Sequence, residues 1–262
     1  MKKLLSIVLA GAMLLSLAAC GGKEPSGNQS SSGSGGGSVN FPAGKQISLI
    51  VPYSAGGASD TTARIYATEL EKALNGTVVV SNVTGASGAI GLEQVRNSNA
   101  DGYTIAYMPV ESTMLRALGF TDLSTDDFKF IGRAMTIPAA VTVRADAPWN
   151  TLQEFIDYAK EHPGEVQVGN SGTGSIWHVA AASIEDKCGV QFTHVPFDGA
   201  APAVAALLGN NIQAVTVSPS EVKTNVDSGD FKVLGILGEG RSSVVPDVET
   251  AQEMGIDITI QG

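Results

Sequence analysis

Val51-Pro52-Tyr53-Ser54-Ala55-Gly56-Gly57-Ala58-Ser59-Asp60 is the stretch on which the fold of this chain turns. The apolar run Ile47-Ser48-Leu49-Ile50-Val51 leads into it, and apolar residues at helical spacing, Ala63, Tyr66, Ala67, Leu70 and Leu74, lead out. That order predicts a strand, a glycine loop and the start of a helix. The first turn of a helix has amide N–H groups without partners inside the helix, and the helix dipole is positive there. Gly56 and Gly57 carry no Cβ, so a ligand can approach the backbone closely. A small anion, above all a carboxylate, suits such a loop. The bland alternative is an ordinary tight βα turn.

The same rhythm continues along the chain. Asn75-Gly76 marks a helix stop, Thr77 to Ser81 a buried strand, and Gly85-Ala86-Ser87-Gly88 a second glycine loop opening a helix. The spacing is GxxGxxG, and no acidic residue follows where a dinucleotide ribose would need one, so a Rossmann site is disfavoured. Tyr103 to Tyr107 reads as a third strand, and Met108 to Thr113, which includes Glu111, follows its carboxyl end. Ligands of open α/β sheets usually sit at such ends. Ala139 to Val143 is another strand. Thr151-Leu152-Gln153-Glu154 is a capping box for a helix that stops at His162-Pro163-Gly164. Val166 to Gly169 is a strand, Asn170-Ser171-Gly172-Thr173-Gly174-Ser175 a third glycine loop, and Ile176 to Cys188 a helix. Strands over 192–195, 214–217 and 233–237 alternate with helices over 201–208 and to about 228. The last strand could rejoin the first sheet. Strand, loop and helix in alternation predict an α/β fold with mostly parallel sheets. Glycine loops in two halves of the chain can face each other across a cleft.

The chain has 262 residues and a net charge of −10. A nucleic-acid binder would usually be basic, so that class is disfavoured. Residues 1–19 read as an export signal: Lys2 and Lys3, an apolar run from Leu4 to Leu17, then small residues before Cys20. Cleavage there would remove the two lysines and leave a charge of −12. The segment resembles a bacterial lipoprotein signal, which implies lipid on Cys20 and a membrane anchor. The glycine- and serine-rich stretch that completes 20–41 is too polar to fold and predicts a flexible tether. Cys188 is the one cysteine beyond it, which leaves no internal disulfide and predicts a packed thiol.

Several stretches, taken together in order, resemble the substrate-binding proteins of tripartite tricarboxylate transporters, the Bug-type extracytoplasmic receptors. They are Pro52 to Gly57 with Asp60; Val80-Ser81-Asn82 with Gly85, Gly88 and Gly91; Asp101-Gly102-Tyr103-Thr104; Thr151-Leu152 with Tyr158-Ala159-Lys160 and Pro163-Gly164; Gly169 to Ser175 with His178; His194-Val195-Pro196-Phe197; Pro202-Ala203; and Pro246-Asp247-Val248. The match spans roughly Ile47 to Gly262. It implies a periplasmic-binding-protein type II fold, with lobe one over 42–140 and 235–262 and lobe two over 141–234, joined by a hinge. It also implies that lobe one is completed by chain beyond Gly262. The implied function is capture of a small organic acid between the lobes and delivery to a membrane permease, by a monomer, without cofactor or metal. Two positions depart from the family pattern: Asp198, where Lys is common, and Glu111, where small polar residues are common. Both imply a ligand with fewer negative charges than citrate, or one with an amine.

The candidate ligand-binding residues are Tyr53, Ser54, Ala55, Gly56, Gly57, Ser59 and Asp60 in the first loop; Gly85 and Gly88 in the second; Glu111; Asn170, Ser171, Gly172, Thr173, Gly174, Ser175 and His178 in the third; and Phe197, Asp198, Gly199 and Ser218. Each has a plainer reading. Asp60 is placed to stabilise a helix start, the serines and Thr173 suit turns, and His178 could simply pack. A Ser/His hydrolase built on Ser171 with His178 or His194 is the enzyme alternative, but Gly169 to Thr173 does not write the GxSxG elbow. No catalytic residue is expected. A ligand-sensing input to a signalling kinase would use the same closed form as transport.

Overall fold

The computed structural model describes residues 41–262, so the predicted export signal, Cys20 and nearly all of the tether lie outside the described residues. Strand β1 (Ile47–Val51) pairs in parallel with β2 (Val78–Asn82) on one side and β3 (Thr104–Ala106) on the other. As the centre of this three-stranded sheet, β1 has its apolar side chains buried on both faces, which is why it reads as an unbroken apolar run. Helix α1 (Ala58–Leu74) crosses from β1 to β2 and presses Ala63 and Ala67 onto Ile47, Leu49, Val51 and Val78. It stops at Asn75, in the left-handed conformation with φ 48°, as Asn-Gly predicts. Helix α2 (Ala89–Arg96) follows the second glycine loop, and a 3-10 turn, Val110–Thr113, follows β3.

The larger sheet holds β4 (Ala139–Arg144), β5 (Gln167–Asn170), β6 (Thr193–Pro196), β7 (Ala214–Val217) and β8 (Phe231–Leu237) in the order β6-β5-β7-β4-β8. β5 runs parallel to β6 and β7, whereas β4 runs antiparallel to β7 and β8. Around it pack α3 (Leu152–Glu161), α4 (Ile176–Cys188), α5 (Ala200–Leu208) and α6 (Pro219–Asp227). Their apolar faces meet in one core that includes Val141, Phe155, Val168, Ile184, Leu207 and Val215. Burying one such large side chain contributes about 1.5–3 kcal/mol. Thr151 caps α3 by accepting from Glu154 N–H at 3.1 Å; the Glu154 carboxylate reaches Asn150 N–H at 2.6 Å.

The end of the described chain differs from the expected layout. Residues 235–237, expected in the first lobe, lie inside β8 of the larger sheet, because pairing with β4 satisfies that strand's backbone. Residues 238–262 fold onto the same sheet. Ala251 and Ile258 are buried in its core, and Ile260 and Gly262 exchange backbone hydrogen bonds with the stretch 137–139 and Leu237. The outer edge of β3 has no strand partner among the described residues. Cys188 is a half-buried free thiol at the end of α4.

Candidate functional site

Two helix tips, one from each sheet, point toward a shared crevice. The first is the start of α1. Gly56 takes φ 88°, a backbone conformation that favours glycine, and its N–H donates to Asp60 Oδ2 at 2.9 Å. Asp60 is 4% exposed and is held further by Arg64 Nε at 3.0 Å and by Asn82 Nδ2 at 3.0 Å. Asn82 also donates to Tyr53 O at 2.9 Å, so one carboxylate pins the whole loop to β2. Burial alone would push the Asp60 carboxyl up, but the bonds from Arg64, Gly56 N–H and Asn82 outweigh it and hold the carboxyl below its ordinary range. The helix itself starts at Gly57, which supplies no side-chain cap.

The second tip is the start of α4. Ser175 Oγ accepts from His178 N–H at 3.1 Å, the standard local cap. Gly172 and Gly174 take φ 130° and 77°, and Gly172 N–H donates to Asn170 Oδ1 at 3.0 Å. Gly174 N–H donates to His178 Nδ1 at 3.0 Å, which requires that ring nitrogen to be unprotonated. Burial lowers the His178 pKa and favours the same neutral ring.

Each tip is also capped from the other side of the crevice. Ile176 N–H, at the start of α4, donates to Glu111 Oε1 at 2.8 Å, and Glu111 belongs to the turn after β3. Ala58 N–H, at the start of α1, donates to Glu221 Oε1 at 2.9 Å, and Glu221 belongs to α6. Glu221 Oε2 accepts in addition from the N–H and the hydroxyl of Ser218, both at 2.9 Å. Burial pushes both carboxyls up, and their amide partners pull against it. Tyr53 lies beside Glu111; burial first, then that carboxylate, pushes its phenol up, and its hydroxyl donates to Ser87 O at 3.1 Å.

Between the loops lies a cavity of about 540 Å³. Tyr53, Gly85, Ser171, Gly172, Thr173, Phe197 and Asp198 line it, all of them expected from the sequence. Two cross-loop bonds close its edges: Ser87 Oγ donates to Thr173 O at 2.5 Å, and Ser54 N–H donates to Asp198 O at 3.0 Å. Ser171 Oγ, on the wall, and Ser54 Oγ, at the seam against Gly199, are buried without a hydrogen-bond partner. A second, larger groove of about 1060 Å³ runs along β3 and residues 127–137 and reaches Gly57, Ser59, Glu111, Ser171 and Glu221.

The other expected residues serve the walls rather than line them. Ala55 and Gly56 are exposed at the loop's outer turn, and Gly88 packs on Pro52. Asn170, Gly174, Ser175 and His178 shape the α4 tip, and Ser218 caps α6. Sequence reasoning missed Ala86, Ser87, Phe120, Pro196 and Pro202 on the cavity wall, and Glu221 at the α1 tip. The spacing Ser218-x-x-Glu221 is a capping-box signal that would have found Glu221's local role. The Ser/His hydrolase has no geometry here. Ser171 Oγ is unpartnered, His178 Nδ1 is taken by Gly174, and His194 Nε2 sits 2.9 Å from Glu185 Oε2.

Residues 62–261 match the family model for the tripartite tricarboxylate transporter family receptor, TctC. A UPF0065 protein in the gbd 5′ region of Cupriavidus necator is 33% identical over 217 residues, which are 82% of this chain and 65% of that protein. This chain therefore spans just under two thirds of that relative's length. Among solved structures, a ligand-free TctC solute-binding protein from Polaromonas is 44% identical with TM-score 0.61, covering 84% of this chain and 76% of that one. MatC from Rhodopseudomonas palustris with bound malate is 26% identical with TM-score 0.79 over the same shares, 84% and 76%. The architecture is that of a periplasmic-binding-protein type II fold with two lobes, and these neighbours are solute-binding receptors, not enzymes.

Proposed function

The chain belongs to the tripartite tricarboxylate transporter receptor family, and from that premise we propose that it captures a small organic acid between its two lobes. The observation that carries this is the cavity between the glycine loops, with the Ser171 hydroxyl buried on its wall and unpartnered. A carboxylate placed there could draw that hydroxyl round to the cavity face and remove the cost of leaving its hydrogen bond unmade, about 1–3 kcal/mol. The small sheet and its helices act as lobe one and the larger sheet as lobe two. The cross-loop bonds Ser87–Thr173 and Ser54–Asp198 describe the closed clamp. Greater likeness in shape to malate-bound MatC than to the ligand-free receptor of higher identity supports the same state.

Ligand binding shifts the open–closed balance by its preference for the closed form, and a membrane permease reads that form. The receptor works outside the cytoplasm as a monomer, held to the membrane by lipid on Cys20. Isothermal calorimetry of the full chain against lactate, succinate, malate, citrate and aspartate tests the reading. Saturable binding of at least one acid, lost in Gly172→Val, is the expected result; no heat from any of the five overturns it. For the anchor, Cys20→Ser should release the protein from membranes, and retention would remove the lipid from the account.

A further inference from the structure

The helix tips that would be expected to hold the ligand's carboxylate already hold a side-chain carboxyl. Glu111 reaches from lobe one to Ile176 N–H of α4, and Glu221 reaches from lobe two to Ala58 N–H of α1. Glu111 is deeply buried, at 3% exposed, and Glu221 is half-buried. They are not equivalent. Glu221 is tied to its own helix through Ser218 whatever the lobes do, whereas the bond from Ile176 N–H to Glu111 exists only with the lobes together. Glu111 also lies behind the cavity wall, next to Tyr53, and shares with Ser171 the groove that adjoins it.

An anion entering the cavity therefore meets an α4 tip that already has its counter-charge. It also meets the Glu111 carboxylate, whose charged form the Ile176 amide and the positive helix end favour against the pull of burial, in a region where water screens little. Asp198, the other acid at the cavity, is exposed and weakened by solvent and salt. We propose that Glu111 is a specificity-determining residue: it acts as a resident carboxylate on the α4 tip and makes the cleft select acids with one negative charge over dicarboxylates of the same shape. This rests on the carboxylate-receptor reading above and adds the ligand's charge to it. The ligand's single carboxylate is held at the Ser171–Thr173 wall, and its far end, turned to Tyr53, is neutral or carries an amine.

The test uses an isosteric pair on the full chain at neutral pH: succinate, with two charges, and succinamate, with one. Calorimetry of the wild type should show succinamate binding at least about tenfold tighter. Glu111→Gln keeps the acceptor oxygen for Ile176 N–H and removes the charge, so the two acids should then bind within about threefold of each other, through a gain for succinate. Equal binding of the pair by the wild type overturns the proposal without recourse to the variant, as does a tenfold preference that survives in Glu111→Gln. Failure of both acids to bind the wild type also overturns it, while the receptor reading falls only if lactate, malate, citrate and aspartate fail too.

Discussion

The two helix tips that face the crevice differ in how much of their capping is local. The α4 tip is capped twice: by its own neighbours, through Ser175 and through His178 accepting from Gly174, and from across the crevice by Glu111. The α1 tip starts on Gly57, which caps nothing, and is completed by Glu221, 163 residues further along the chain. Asp60 holds the approach to it rather than the first helical amide. The bonds across the crevice thus give the α1 amide its first cap and α4 a second one.

Removing Glu221 is the most severe way to break this contrast. Glu221→Ala strips acceptors from Ala58 N–H, Ser218 N–H and the Ser218 hydroxyl in a half-buried setting, and should cost about 3 kcal/mol in all. Glu111→Ala strips the acceptor from Ile176 N–H and should cost about half as much. Urea unfolding of both variants measures the difference. Equal losses would mean that the α1 tip depends on its distant cap no more than the α4 tip does.

Gly172 sharpens the comparison from the ligand's side. Its φ of 130° suits glycine, and a Cβ there would come 2.8 Å from Ser87 Oγ on the other lobe. Gly172→Val should cost about 2 kcal/mol in the closed form through strain and the clash, with a loss of more than tenfold in ligand affinity. Calorimetry gives the affinity. A melting temperature lowered by as much as Glu221→Ala lowers it would show instead that the loop is needed for folding.

Asp60 carries the pH dependence. Its carboxyl is held below the ordinary range in the folded chain, so it contributes stability above the unfolded value of about 3.9 and loses it as pH falls through the folded value. Asp60→Asn should be about 1.5 kcal/mol less stable than the wild type at pH 7, the size of one hydrogen bond to a charged group. The gap should close as pH drops below about 3.9, and a gap that stayed constant to pH 2 would remove the charge from the explanation.

What the sequence showed of all this follows from range. Glycines at φ 88°, 130° and 77° were legible because the backbone demanded them locally, at Gly56, Gly172 and Gly174. The α1 stop at Asn75 was legible for the same reason. The carboxylates on the tips were not, because their partners lie 65 and 163 residues away and nothing in local spacing encodes them. Glu111 stood out only as a misplaced charge, and Glu221 would have been read as the cap of its own helix. The placement of β8 was missed for a related reason. Its apolar run fits a buried strand in either sheet, and the choice is made by antiparallel pairing with β4, a contact with no signature in the run itself.

The smallest expected effect checks how far the α4 tip depends on its local cap. Ser175→Ala removes the acceptor for His178 N–H but leaves Glu111 on Ile176 N–H and His178 on Gly174 N–H. Losing one such cap costs about 1 kcal/mol, so the variant should fold, melt a few degrees lower and still bind. The informative version is the pair with Glu111→Gln. If the local cap and the distant carboxylate support the same turn independently, their stability losses add to within about 0.5 kcal/mol. A double variant that loses clearly more than the sum would mean that each masks the absence of the other, and that the α4 tip too is finished only when the lobes meet.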